Sequence, residues 1–114
     1  VVILLFKKKR LVGGNPFATN TFRVFFYYVG CPYCLLCYGI IDKINSMVKP
    51  GKRIAIVNIY SSDYRVKIIQ PDVVPFIYLD GFVIKGTTSR EYIESFLYGY
   101  MKEQGDLIEK KKYY

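Results

Sequence analysis

Two cysteines that enclose a Pro-Tyr pair, Cys31 and Cys34, place the tightest constraint on how this chain can fold. They follow an apolar, aromatic run, Phe22 to Val29, and open a segment with helical periodicity, so the pair is predicted to lie where a strand passes into a helix. At the first turn of a helix, unpaired backbone N–H groups and the positive end of the helix dipole favour a thiolate. Two thiols spaced in this way can also close a disulfide, so the pattern indicates redox chemistry.

A third cysteine, Cys37, lies close by, and the chain has no histidine. An odd number of cysteines within seven residues does not fit the spread and even pairing of a secreted disulfide framework, and a local redox motif fits better. The missing histidine excludes Ser/His/Asp triads, Cys/His proteases and imidazole-ligated metal sites.

The chain has 114 residues, 52% of them hydrophobic, and a formal net charge of +8. This length predicts a single domain, 1–114, with one hydrophobic core. The positive charge is concentrated in Lys7 to Arg10, in Lys49, Lys52 and Arg53, and in Lys110 to Lys112. We interpret these runs as solvated loops and tails. A nucleic-acid or anionic-surface role and an acidic protein partner are the alternatives, although no recognised nucleic-acid-binding motif accompanies the charge.

No stretch of the sequence approaches the length of a membrane span, and we expect a cytoplasmic protein that binds neither a membrane nor a specific nucleic acid. The run from Val1 to Phe6 does not read as a secretory signal, because its positive charges follow the apolar residues instead of preceding them. The sequence does not begin with Met, so a targeting segment ahead of Val1 stays open.

Turn residues divide the chain into elements in the order β, β, α, β, α, β, β, α. The predicted strands are 1–6, 21–29, 53–60, 76–79 and 82–85, and the predicted helices are 32–48, a short one that ends at 69 after a cap at 61–63, and 88–104. The second strand lacks clean alternation, which indicates a central strand covered on both faces. The β-α-β steps require a parallel pair, and the hairpin turn Asp80-Gly81 adds antiparallel strands.

The sequence thus predicts an α/β fold in which helices flank a mixed central sheet. We expect a strand or hairpin extension over 1–20, a core over 21–104 and a basic tail over 105–114. From about Thr21 to Met101 the chain resembles the thioredoxin superfamily, and glutaredoxins in particular. Three segments carry this resemblance: Cys31-Pro32-Tyr33-Cys34, Val74-Pro75, and the closing hairpin from Phe76 to Gly86.

The resemblance implies a thioredoxin-like fold and a cis peptide bond between Val74 and Pro75, facing the dithiol. The Val74 backbone would then be open to pair with an extended substrate. From the residues alone, a trans proline at the start of an edge strand is the alternative.

Several positions differ from the family pattern. Where thioredoxins carry a Trp before the first cysteine and a buried Asp in the preceding strand, this chain has Gly30 and Phe25. Where glutaredoxins carry a Lys three residues before the first cysteine, it has Tyr28, and the usual Gly-Gly-acidic segment is Lys85-Gly86-Thr87-Thr88. We expect no cofactor. Glutathione stays open as a co-substrate, with its carboxylate held by Lys85 and the N-terminus of the last helix.

The resemblance implies a dithiol–disulfide oxidoreductase. Cys31, at the helix N-terminus and nearer solvent, is the expected nucleophile, and Cys34 is expected to resolve the mixed disulfide. Tyr33, Val74 and Pro75 are the expected substrate contacts. The expected partners are disulfide-containing proteins or small thiols, with a reductase as electron donor, and the expected state is a monomer or weak dimer.

Alternatives remain open for Cys37 and for the function. Cys37 is a buried apolar residue, an auxiliary thiol that exchanges with Cys34, or a third ligand in a metal or iron–sulfur site completed by dimerisation. A non-catalytic adaptor that uses a basic surface is a further functional class.

Overall fold

The computed structural model describes residues 4–7, 22–86 and 89–108. Within them, the strands are β1 (Leu4–Lys7), β2 (Arg23–Tyr27), β3 (Ala55–Asn58), β4 (Phe76–Leu79) and β5 (Phe82–Lys85). The helices are α1 (Pro32–Asn45), α2 (Tyr64–Ile69) and α3 (Arg90–Glu103), and a single 3-10 turn covers Pro50–Lys52. The predicted α/β class is confirmed.

The five strands form one mixed sheet in the order β1-β5-β4-β2-β3. Strands β2 and β3, which α1 connects, are parallel, whereas the β1–β5, β4–β5 and β2–β4 pairs are antiparallel. Strand β2 is hydrogen-bonded on both sides, with Phe26 opposite Val57 of β3 and Phe76 of β4. The predicted mixed sheet with a central second strand is confirmed.

Both faces of β2 are buried. Successive side chains of a strand point to opposite faces, and Val24, Phe25 and Phe26 are all fully buried. Phe25 belongs to a core cluster that includes buried residues of α1 and α3. Its neighbours Val24 and Phe26 belong to a second cluster on the other face, with Ile69 of α2. The absence of alternation in this part of the sequence therefore reflects a sheet with helices on both sides.

Helix α1 ends at Asn45, earlier than the sequence predicts. The Asn45 side chain donates a hydrogen bond to the Ile54 carbonyl and accepts one from the Ile54 N–H, each at 2.8 Å. These bonds satisfy the backbone of the segment that leads into β3, and the prediction that the helix continues to about Val48 is wrong. Of the described helices, none is long and apolar enough to cross a bilayer.

The segment after α3 is not the tail that the sequence predicts. Gly105 adopts a φ of +73° where the helix stops, as predicted for its end. Asp106 is then buried against Arg23, and Leu107 forms an antiparallel bridge with Val48. The tail prediction is therefore wrong for residues 106–108, while 109–114 lie outside the described residues.

At the other end of the chain, β1 supplies the strand that the sequence predicts for the N-terminal extension. It pairs antiparallel with β5. Most of the predicted extension, 1–3 and 8–20, lies outside the described residues, as does Thr88 of the predicted capping segment. Ser89 is the observed cap of α3, and its side chain accepts a hydrogen bond from the Tyr92 N–H.

A candidate dithiol site at the end of the central strand

The motif lies just beyond the C-terminal end of β2. A turn over Tyr28 to Gly30 leads from the strand into α1, and the Cys31 N–H donates to the Tyr28 carbonyl at 3.0 Å. Because α1 begins at Pro32, a residue with no N–H to leave unpaired, the chain enters the helix immediately after Cys31. The strand-to-helix position that the sequence predicts for the motif is confirmed.

Cys31 is the N-cap residue of α1. Its backbone is extended, with φ −104° and ψ 108°, and its Sγ accepts a hydrogen bond from the Cys34 N–H at 3.1 Å. The side chain is partly exposed and is a free thiol. The Cys34 N–H and the N-terminus of α1 therefore both lie at this partly exposed sulfur.

Cys34 lies one turn further along α1 and is fully buried. Burial, together with the hydrogen bond to the Cys31 sulfur, raises the pKa of the Cys34 thiol to about 12. At neutral pH this thiol is therefore protonated and shielded from solvent. The two sulfurs of the motif therefore differ in environment, since Cys31 is partly exposed and Cys34 is buried.

Cys37 is also fully buried and belongs to the core cluster beneath α1. Burial, and to a smaller extent the charge of Cys31, raises the pKa of the Cys37 thiol to about 11. Residues three apart on a helix have Cβ atoms about 5–6 Å apart, more than the roughly 3.5–4.5 Å of a disulfide. A Cys34–Cys37 disulfide would therefore require α1 to distort, whereas Cys31 precedes the helix with an extended backbone and is not held to this spacing. Of the three interpretations for Cys37, a buried apolar residue agrees best with the structure.

No group of three or more Cys, His, Asp or Glu side chains in the described part of the chain is arranged to hold a metal ion.

The predicted substrate contacts occupy two neighbouring strand ends. Because Phe26 is opposite Phe76, the start of β4 and the end of β2 lie at the same end of the sheet, and Pro75 lies at this end. The Val74–Pro75 peptide bond is cis, as the resemblance implies. Pro75 is buried, and its carbonyl accepts from the Gly86 N–H at 3.2 Å.

Val74 and Tyr33 are both half-buried. Val74 packs against the core cluster that contains Phe26, whereas Tyr33 packs against the cluster that contains Phe25. Each therefore leaves only part of its side chain for a substrate.

Lys85, the residue expected to hold a glutathione carboxylate, already contacts a carboxylate of the protein. Its Nζ lies 3.1 and 2.8 Å from the two carboxylate oxygens of Asp72. The ammonium group also lies 5.9 Å from the ring centroid of Phe76, within cation–π range. An incoming carboxylate would compete with Asp72 for this cation.

Two tyrosine rings beside the motif have no counterpart among the predicted site residues. Tyr28 and Tyr60 pack edge to face, with ring centroids 5.3 Å apart and planes at 83°. The Tyr28 ring also lies against Gly30. The aromatic residues are visible in the sequence, but only the parallel pairing of β2 with β3 brings their two strand ends together.

Sequence reasoning also missed a charged cluster at the opposite end of β2. Arg23 is buried and donates to Asp80 at 2.7 Å, to Asp106 at 2.5 Å and to the Lys52 carbonyl at 2.7 Å. A cavity of about 470 Å³ lies beside this cluster. The cysteines do not line it, so this cavity and the dithiol are separate features.

No protein-family model and no curated protein matches this chain. Similarity therefore does not assign a family or a function, and both are inferred from the residues themselves.

Proposed function

We propose that the protein is a glutaredoxin-like dithiol–disulfide oxidoreductase with a thioredoxin-like fold. The order of elements from β2 to α3 supports the fold, because a parallel β-α-β unit is followed by a helix, an antiparallel hairpin and a last helix. The motif at the end of the central strand supports the chemistry.

One observation carries the proposal. The Cys31 sulfur caps α1 and accepts the Cys34 N–H at 3.1 Å, while the Cys34 sulfur is buried one turn further along the helix. If Cys31 were only a structural cysteine, its sulfur would have no need of the helix-capping position. If it were a metal ligand, it would need further ligands nearby. A dithiol that exchanges electrons needs one accessible sulfur and one protected thiol, and the partial exposure of Cys31 and the burial of Cys34 support this assignment.

The reaction has two exchange steps. The Cys31 thiolate attacks one sulfur of a substrate cystine, so a Cys31–substrate disulfide forms and the other substrate sulfur leaves as a thiolate. Cys34 then gives its proton to the departing thiolate or to water, and its sulfur attacks Cys31 Sγ. The second substrate sulfur leaves, a Cys31–Cys34 disulfide forms, and two electrons have passed to the substrate.

A protein disulfide is the favoured substrate, and an external dithiol reductase is the class of partner that would return the electrons. The Lys85–Asp72 pair disfavours glutathione, because it leaves the expected cation occupied. Disulfide-containing small molecules without a carboxylate remain compatible with the site.

The test is the reduction of insulin by catalytic amounts of protein in the presence of dithiothreitol. Cys31→Ser removes the nucleophile and should lower the rate to that of dithiothreitol alone. Cys37→Ala is the matched control, because it removes a thiol of the same helix that the mechanism does not use.

The Cys37→Ala protein should therefore reduce insulin close to the parent rate. A Cys31→Ser protein that retained the parent rate would rule out the proposed role of Cys31. Loss of activity in a folded Cys37→Ala protein would instead assign the resolving step to the third thiol.

A further inference from the structure

Two aromatic rings lie at the turn that leads into Cys31, with the Tyr28 ring against Gly30 and the Tyr60 ring against Tyr28. Tyr28 and Tyr60 are contributed by the segments that follow β2 and β3, and they remain 39% and 76% exposed although they contact each other. Large aromatic rings left in water next to a reactive sulfur are available to a ligand, since their burial on binding is favourable.

The position of the Tyr28 ring depends on the absence of a side chain at Gly30, the residue next to Cys31. A Cβ atom at Gly30 would lie 2.5 Å from Cε2 of Tyr28, closer than such atoms can approach. The ring therefore folds back over the backbone of the motif and fills the space that any side chain at this position would take. Gly30 is a positioning residue for the Tyr28 ring.

Two further exposed side chains close to Cys31 in the sequence are apolar. Val29 is 61% exposed and Leu35, on the first turns of α1, is 58% exposed. Neither carries a charge that could recognise the carboxylates of a small acidic thiol, and the Lys85 cation is paired with Asp72. The surface around Cys31 therefore favours a substrate with apolar groups next to its disulfide.

We propose that Tyr28 and Tyr60 determine the substrate specificity of the dithiol by binding an apolar or aromatic side chain adjacent to the cystine of a protein substrate. This inference rests on the proposed exchange at Cys31. The bound side chain holds one cystine sulfur near Cys31 Sγ, so the contact acts before and during the first exchange step. The preferred partners are proteins whose disulfide is flanked by an aromatic residue or by Leu, Ile, Val or Met.

The experiment uses two short peptides, each closed by one disulfide, that differ in a single residue next to a cystine half, Phe in one and Ser in the other. Prereduced protein is mixed with each peptide in a single turnover, and the rate of peptide reduction is measured. An edge-to-face or stacked aromatic contact predicts that the parent protein reduces the Phe peptide about two- to tenfold faster.

Three variants test the assignment. Tyr28→Ala/Tyr60→Ala should bring the rate ratio close to one. Gly30→Ala should lower the ratio without removing a ring, because the added Cβ displaces the Tyr28 side chain. Tyr98→Ala is the matched control, since Tyr98 has a similar exposure of 42% but lies beside Met47, near the other end of α1.

The Tyr98→Ala protein should keep the parent ratio. Equal rates for the two peptides with the parent protein, or an unchanged ratio in Tyr28→Ala/Tyr60→Ala, would overturn the specificity assignment and leave the proposed oxidoreductase intact. If the parent protein reduced neither peptide, the oxidoreductase proposal and this assignment would both fail.

Discussion

Two buried thiols, Cys34 and Cys37, follow the partly exposed Cys31 at intervals of one helical turn. Cys34 and Cys37 are both inaccessible to solvent, and burial raises the pKa of each, to about 12 and about 11. For Cys34 the raised pKa serves the mechanism, because the thiol stays protonated until Cys31 has formed a mixed disulfide. For Cys37, which the proposed mechanism does not use, the raised pKa affects only the stability of the folded protein.

This difference gives a prediction for stability at alkaline pH. The Cys37 thiol titrates at about 8.5 in an unfolded chain and at about 11 in the folded protein. Between these values the folded state holds more protons, so the free energy of unfolding falls as pH rises. Between about pH 9 and 10.5, the free energy of unfolding of Cys37→Ala should fall less steeply with pH than that of the parent protein, by up to about 1.4 kcal/mol per pH unit.

Urea unfolding of the parent protein and of Cys37→Ala at a series of pH values measures this slope. Tyrosines and lysines titrate equally in the two proteins and cancel in the comparison. Identical slopes would show that Cys37 titrates in the folded protein as it does in the unfolded chain.

At the scale of elements, local signals were sufficient for most of the fold. Pro32 marks the first residue of α1, and Asp80-Gly81 marks the hairpin turn, because a proline ring and a positive φ act within two or three residues of the chain. The site residues Cys31 and Cys34 follow from the same strand-to-helix junction.

What the sequence did not predict depends on residues far apart in the chain. The early end of α1 follows from hydrogen bonds between Asn45 and Ile54, and the burial of Asp106 follows from an ion pair with Arg23, 83 residues away. The ring of Tyr60 meets Tyr28 only when β3 pairs with β2. No local pattern carries this information.

At the scale of the whole molecule, the two ends of β2 have different roles. The dithiol and its aromatic surface follow the C-terminal end of the strand, whereas the buried charges of Arg23, Asp80 and Asp106 lie at its N-terminal end. Arg23 connects the central strand to the hairpin turn and to the segment after α3. The charged cluster therefore stabilises the framework at a distance from the reactive sulfurs.

Arg23→Met tests this separation. The Arg23 side chain is only 7% exposed, so its removal leaves two carboxylates without their cation, and the free energy of unfolding should fall by about 3–5 kcal/mol. Lys43→Met, which breaks the solvent-exposed pair with Glu94, should cost at most about 1 kcal/mol.

Urea unfolding measures both changes, and the insulin assay measures activity per folded molecule. The folded fraction of Arg23→Met should reduce insulin at the parent rate. A small change in stability, or a selective loss of activity at full folding, would contradict the structural role of the cluster.

The central claim, that Cys31 is the nucleophile of a dithiol couple, is tested most directly by trapping the first exchange step. In Cys34→Ser/Cys37→Ala, Cys31 is the one remaining thiol, and a mixed disulfide cannot be resolved from within the chain. The matched protein, Cys31→Ser/Cys37→Ala, retains only the buried Cys34.

Both proteins are incubated with a cystine-containing peptide and examined by intact-mass and peptide-mapping mass spectrometry. The account predicts a peptide adduct on Cys31 that dithiothreitol reverses, with no adduct on Cys34 over the same time. A folded protein that formed no adduct on Cys31, or formed one equally fast on Cys34, would contradict it.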